Sequence, residues 1–204
     1  VELSELRTSL KIGHILNTKK WNVFMDNKSK KILGTFISMI GTIQAAVGGT
    51  PQFPLDEEQR YQFEIIGNTL QAVGSSLSAE GQGSNFMGAV GEQIQAIGNS
   101  TVLVGLLIYK RKNSDIEERV VISGNWLQAL GSFVGLDYTG NENISVLESN
   151  LGGILQGIGN SLQAIGGIET LRPNLIPFKG VGTLGSWIQA TGSVISFLVE
   201  ISDE

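Results

Sequence analysis

The chain has 204 residues, a formal net charge of −5, 41% hydrophobic and 16% charged residues, a single histidine and no cysteine. That length can bury a sizeable core in one domain, whereas the missing cysteine excludes disulfide and thiol chemistry and leaves the redox compartment open. Glycine is over-represented, 27 residues against four prolines, and its regular spacing among aliphatics speaks for packing rather than for a disordered linker.

Residues 1–33 carry Arg7, Lys11, Lys19, Lys20, Lys28, Lys30 and Lys31 against Glu2, Glu5 and Asp26, a local charge of +4 that leaves −9 for the remainder. This basic segment, whose residues 2–25 form an optional seventh helix, can be a solvated helix face. It can also meet a membrane surface through Lys19, Lys20, Lys28, Lys30 and Lys31; no nucleic acid is expected. The opening "VELSELRTSL" has no secretory pattern, which points to the cytoplasm. From residue 34 to 204 the chain reads as one repetitive helical domain.

Its first helix is "KSKKILGTFISMIGTIQAAVGGTP", with a degenerate unit "GTFISMIG" (34–41) and a shifted one, "GTIQAAVG" (41–48). Then one cassette, Gly-x-x-Leu/Ile-Gln-Ala-x-Gly, occurs five times: "GNTLQAVG" (67–74), "GEQIQAIG" (91–98), "GNWLQALG" (124–131), "GNSLQAIG" (159–166) and "GSWIQATG" (185–192). Helix ends flank each copy. Pro54 and acidic residues open the second helix, Ser84 stands as N-cap of the third, and Ser114 with Glu117 has capping-box spacing before the fourth. "TGNEN" and "RPNLIP" separate the last three.

At about 100° per residue, the two cassette glycines and the aliphatics at positions 4 and 7 share one arc. The position-2 residues Asn68, Asn125, Asn160 and Ser186 and the position-6 alanine fall opposite, with glutamine at the edge. The expectation is an amphipathic helix with glycines in a buried aliphatic stripe; a strand fails for want of period two. Ten glycines inside helices cost on the order of 10 kcal/mol relative to alanine, offset when backbones approach more closely than the usual 8–10 Å. The spacing of seven stacks them on one seam. The structural cassette is therefore Gly67, Gln71 and Gly74; Gly91, Gln95 and Gly98; Gly124, Gln128 and Gly131; Gly159, Gln163 and Gly166; and Gly185, Gln189 and Gly192. Breakers near 81–84, 110–114, 139–143 and 172–180 lie midway between cassettes, so antiparallel hairpins would set all copies at one height. There the glutamines, with Gln156, would form a polar ring that needs its own hydrogen-bond partners. The fold class is all-α: an antiparallel up-and-down bundle or helical repeat array of six to seven helices with glycine-mediated close packing.

The cassette resembles that of uncharacterised repetitive proteins of Gram-positive, mostly spore-forming bacteria, which carry a domain of unknown function. The resemblance spans about residues 34–198. It implies a bacterial source and a helical repeat, and it supplies no catalytic residue.

No chemistry is expected: no catalytic, cofactor-binding or metal residues. His14 stands alone, so a histidine relay or zinc site is out. Glu57/Glu58 and Glu117/Glu118 fall in first helical turns, where acids suit the dipole. "GVGTLG" (180–185) matches a dinucleotide fingerprint but lacks the preceding strand. Asn143-Ile-Ser145 is a glycosylation triplet with meaning only in a secreted chain. Trp126 and Trp187, both at cassette position 3, cover a second packing surface or serve as exposed interface anchors. The apolar stretches 97–109 and 32–49 are short or marginal for a membrane span. Three functions stay open. The first is a non-enzymatic structural or self-assembling protein, a homo-oligomer or larger assembly. The second is a membrane-active, pore-forming or membrane-associated bundle. The third is a soluble binding module for an apolar ligand or protein partner.

Overall fold

The computed structural model describes residues 25–109, 114–138, 140, 143–175 and 179–202. The basic segment's first part, with His14, Lys19 and Lys20, lies outside them. The described residues form six helices and no strand: α1 (Asn27–Gly48), α2 (Glu57–Gly81), α3 (Phe86–Val104), α4 (Ser114–Val134), α5 (Ile144–Leu171) and α6 (Val181–Ser202). A π-helical turn, Gly105–Tyr109, prolongs α3.

Local signals fix the helix starts. Asp26 caps α1 by accepting from the Ser29 N–H at 2.7 Å, and that bond holds its carboxyl below the usual carboxylate range. Asp56 and Gln59 form a reciprocal capping box on α2. α3 is capped by Asn85, which accepts from Gly88 at 3.0 Å, one residue beyond the expected Ser84. Ser114 is already the first residue of α4 rather than a cap in front of it.

Each helix packs against its chain neighbours, and α6 returns to α1. The six helices therefore form a closed up-and-down ring around an axis. The closing α1/α6 interface is stitched by side chains: Thr42 Oγ1 and Ser193 Oγ lie 2.6 Å apart, the Phe36 and Phe197 rings pack at 5.3 Å, and Thr183 Oγ1 donates to the Gly49 carbonyl at 3.1 Å.

The glycine seam exists, but at alternate interfaces. Within hairpin α1/α2, Gly34 faces Gly74 and Gly41 faces Gly67; within α3/α4, Gly91 faces Gly131 and Gly98 faces Gly124; within α5/α6, Gly152 faces Gly192 and Gly159 faces Gly185. Each pair is reciprocal: a methyl on either glycine would meet the other's carbonyl oxygen at 3.0 Å or less. The heptad step is kept, seven residues forward on one helix matching seven back on its partner. Between hairpins the fit is different. There the Phe133 ring and Leu136 fill the space over Gly157 and Gly153, and Ile122 lies over Gly167. The expectation that glycine mediates every helix contact is corrected to every second one.

The larger correction concerns which arc faces inward. The aliphatics at positions 4 and 7 were expected inside with the glycines, and asparagine outside. Instead Val73, Ile97, Leu130, Ile158 and Leu184 are exposed, while Asn68, Asn125 and Asn160 are buried. Among the described residues, seven apolar side chains are fully buried and fourteen polar ones, against 28 large hydrophobic side chains exposed. The physical reason is geometric. Glycine faces the hairpin partner, the amide positions on one side of it turn to the axis, and the aliphatics on the other side turn outward.

Candidate functional site: a polar lumen

The residues turned inward come from a few cassette positions. Position 2 supplies Asn68, Asn125, Asn160 and Ser186, with Glu92 in that slot on α3; position 5 supplies the glutamines; the residue after the cassette supplies Ser75, Asn99, Ser132 and Ser193. The asparagines partly satisfy themselves: Asn68 Nδ2 donates to the Glu64 carbonyl at 2.9 Å and Asn99 Nδ2 to the Gln95 carbonyl at 3.0 Å.

The glutamine ring forms in part. Gln163 Nε2 donates to Gln189 Oε1 at 2.8 Å, and Gln189 Nε2 donates to Gln71 Oε1 at 2.8 Å and, more distantly, to Gln128 Oε1 at 3.5 Å. Four helices thus meet in one amide layer. Gln95 and Gln156 leave the ring and face a cavity on its other side, where Gln156 Nε2 donates to Ser196 Oγ at 3.0 Å.

Two cavities flank the layer, and each touches all six helices. The smaller, about 210 Å³, lies at the end where α1 begins and α6 finishes and holds Lys31, Glu92 and Glu200; Lys31 Nζ pairs with Glu200 at 2.6 Å. The larger, about 590 Å³, opens at the opposite end and is lined by Glu64, Glu117, Glu118 and Glu169. Among the described residues it has no lysine or arginine in its wall. Glu118 sits in this mouth, where burial first and then the charges of Glu117 and Glu64 raise its carboxyl to about 7.

Several buried polar atoms find no protein partner, namely Ser38 Oγ, Ser78 Oγ, Asn99 Oδ1, Gln128 Nε2 and Asn160 Nδ2. A buried polar group without a partner is costly, and water is its usual remedy.

The outer surface is built differently. Its serine and threonine hydroxyls on Thr69, Ser76, Ser100, Thr101, Ser123 and Thr191 each donate to the carbonyl four residues back, at 2.8–2.9 Å. No charge falls between Lys31 and Asp56, Glu64 and Glu80, Arg119 and Asp137, Glu148 and Glu169, or Lys179 and Glu200, and none between Glu80 and Tyr109 except Glu92. Each helix therefore carries a charge-free middle. α1 and α6 are also long and apolar enough, by length and composition, to cross a membrane. The paired acids expected at helix starts divide: Glu57 and Glu58 remain on the outside, whereas Glu117 and Glu118 line the mouth.

Trp126 and Trp187 are 44% and 37% exposed. Trp126 stands on the outer surface of α4. Trp187 is anchored, its Nε1 donating to Thr50 Oγ1 at 2.9 Å and its ring tilted on Phe53. Sequence reasoning missed the position-2 asparagines and the serines that follow the cassette as inward residues; their recurrence in phase with glutamine was the available signal.

No curated protein and no solved structure matches the chain. Residues 29–197 match a family described only as of unknown function, DUF6944. That span takes in all six helices nearly end to end, so the chain belongs to the family of unknown function DUF6944.

Proposed function

We propose that this chain is a non-enzymatic helical barrel embedded in a lipid bilayer. One observation carries the reading: its aliphatic side chains face out on every helix while amides and hydroxyls face the axis. In water the hydrophobic effect drives the opposite arrangement. A hydrocarbon solvent removes that drive, and helix association then rests on small residues, close backbone contact and interhelical hydrogen bonds. The reciprocal glycine pairs and the glutamine layer are those forces. Outward hydroxyls bonded within their own helix suit a medium without water. A helix of 22 residues such as α1 rises about 33 Å, close to the hydrocarbon thickness of about 30 Å. The four helices with lower hydropathy owe it to inward amides, which never meet lipid.

Self-assembly in water is the second reading, favoured by the exposed cluster of Trp126, Leu130 and Phe133 on α4. A twofold contact covers one side of a ring, however, and the apolar surface here runs around all six helices. The repeat's resemblance to proteins of Gram-positive spore-forming bacteria supports a bacterial membrane as the setting.

The test is flotation of the full chain with lipid vesicles on a density gradient, followed by an alkaline wash. The expected result is protein that floats and resists extraction. A monodisperse 21.8 kDa species in detergent-free buffer, left behind by the vesicles, would overturn the proposal.

A further inference from the structure

The axis of the barrel has two polar cavities, one at each end, and what separates them is made of side chains. At that level lie the amides of Gln71, Gln128, Gln163 and Gln189 and the buried methyls of Ala46, Ala129, Ala164 and Ala190. Glutamine has rotatable side-chain bonds, so the waist opens by rotamer changes, with the glycine-locked backbones in place. The layer is also unevenly held: Gln128 is linked at 3.5 Å, and its Nε2 has no partner although the residue is 3% exposed. Gln128 lines the larger cavity. On the other side Ser78, 1% exposed with an unpartnered Oγ, lines the smaller one. Both cavities therefore present buried polar atoms that water or a hydrated solute would satisfy.

Charge limits the solute. The larger mouth has glutamates in its wall and no cation among the described residues; in the smaller cavity the one lysine is bound to Glu200, with Glu92 beside them. Acidic rings are the usual filter of cation pores. A neutral amide constriction offers little to a divalent ion that surrenders water reluctantly, which leaves monovalent cations.

We infer that the barrel axis is a gated path for small monovalent cations, with the acidic mouth selecting for positive charge and the glutamine layer acting as the gate. This rests on the bilayer reading above.

The experiment uses vesicles loaded with potassium chloride, the full chain reconstituted and recovered by flotation, and potassium and chloride release measured in parallel. Vesicles bearing the native chain should lose potassium faster than empty ones, with chloride lagging. The doubly opened variant Gln71→Ala/Gln189→Ala should raise potassium release several-fold. Glu118→Gln/Glu169→Gln should shrink the preference for potassium over chloride while the chain still floats. Circular dichroism confirms that each variant keeps its helix content, and the native chain's own release supplies the answer should a variant unfold. Protein that floats but leaks no more potassium than empty vesicles, in native and opened forms alike, would overturn the path and spare the bilayer reading; so would a preference for chloride. Protein that never floats removes both.

Discussion

Two faces of α4 compare the chemistry of inside and outside within one helix. Asn125, Gln128 and Ser132 are buried at the axis, while Trp126, Leu130 and Phe133 stand exposed on the other side. Between them Gly124 and Gly131 meet Gly98 and Gly91 on α3. Each cassette position thus has an address: glycine to the hairpin partner, amide to the axis, aliphatic to the surroundings. The difference teaches that the fold is held by backbone approach and polar contact, and that its greasy surface contributes little to holding it.

Substitutions should therefore rank by face. The seam is the most sensitive. Gly131→Leu forces a side chain against the Gly91 carbonyl, and overpacking of this kind should cost about 3 kcal/mol or more, read as lost stability to denaturant in micelles. The axis comes next. Gln189→Leu strips a donor from Gln71 and an acceptor from Gln163, and leaving those amides unsatisfied should cost about 2 kcal/mol. A Gln71/Gln189 double-mutant cycle should then return a coupling of about 1 kcal/mol.

The acidic mouth sharpens the comparison through pH. Glu118 has its folded pKa raised from 4.5 to about 7, so the fold favours its neutral form. Its contribution is fully present below pH 4.5 and is lost as pH rises through 7. Glu64 on α2, Glu117 beside it and Glu169 on α5 share the mouth and act in the same sense. Unfolding midpoints should fall across that window, and Glu118→Gln should flatten the fall. The outer face should matter least. Leu130→Ala, at a side chain 51% exposed, should shift stability in micelles by less than about 0.5 kcal/mol. An effect as large as that of Gly131→Leu would mean the outer surface holds the fold after all.

Much of this arrangement is legible in the sequence. The five cassettes and the breakers between them give the helices, the hairpins and the heptad glycine seam, and Gln71, Gln163 and Gln189 do meet at one height. What the sequence hides is direction. An amphipathic pattern tells which residues share a face, and it takes the solvent to say which face is inside; assuming water put Leu130 in and Asn125 out. The alternation of interfaces was hidden for a different reason. Gly153, Gly157 and Gly167 receive Leu136, Phe133 and Ile122 from α4, and such pairings between hairpins depend on ring closure, which no local pattern encodes. The helix caps were legible to within a residue or two, because Asp56, Asn85 and their neighbours act locally.

The most direct test of the central claim uses the absence of native cysteine. Single variants Leu130→Cys and Asn125→Cys would carry nitroxide labels in vesicles, and their collision rates with oxygen, which concentrates in lipid, and with a water-soluble nickel chelate would be compared. Aliphatics outward and amides on a hydrated axis require that the label at 130 meets oxygen and the label at 125 meets the chelate. The reverse order, or a label at 130 shielded from both, would contradict an inside-out barrel.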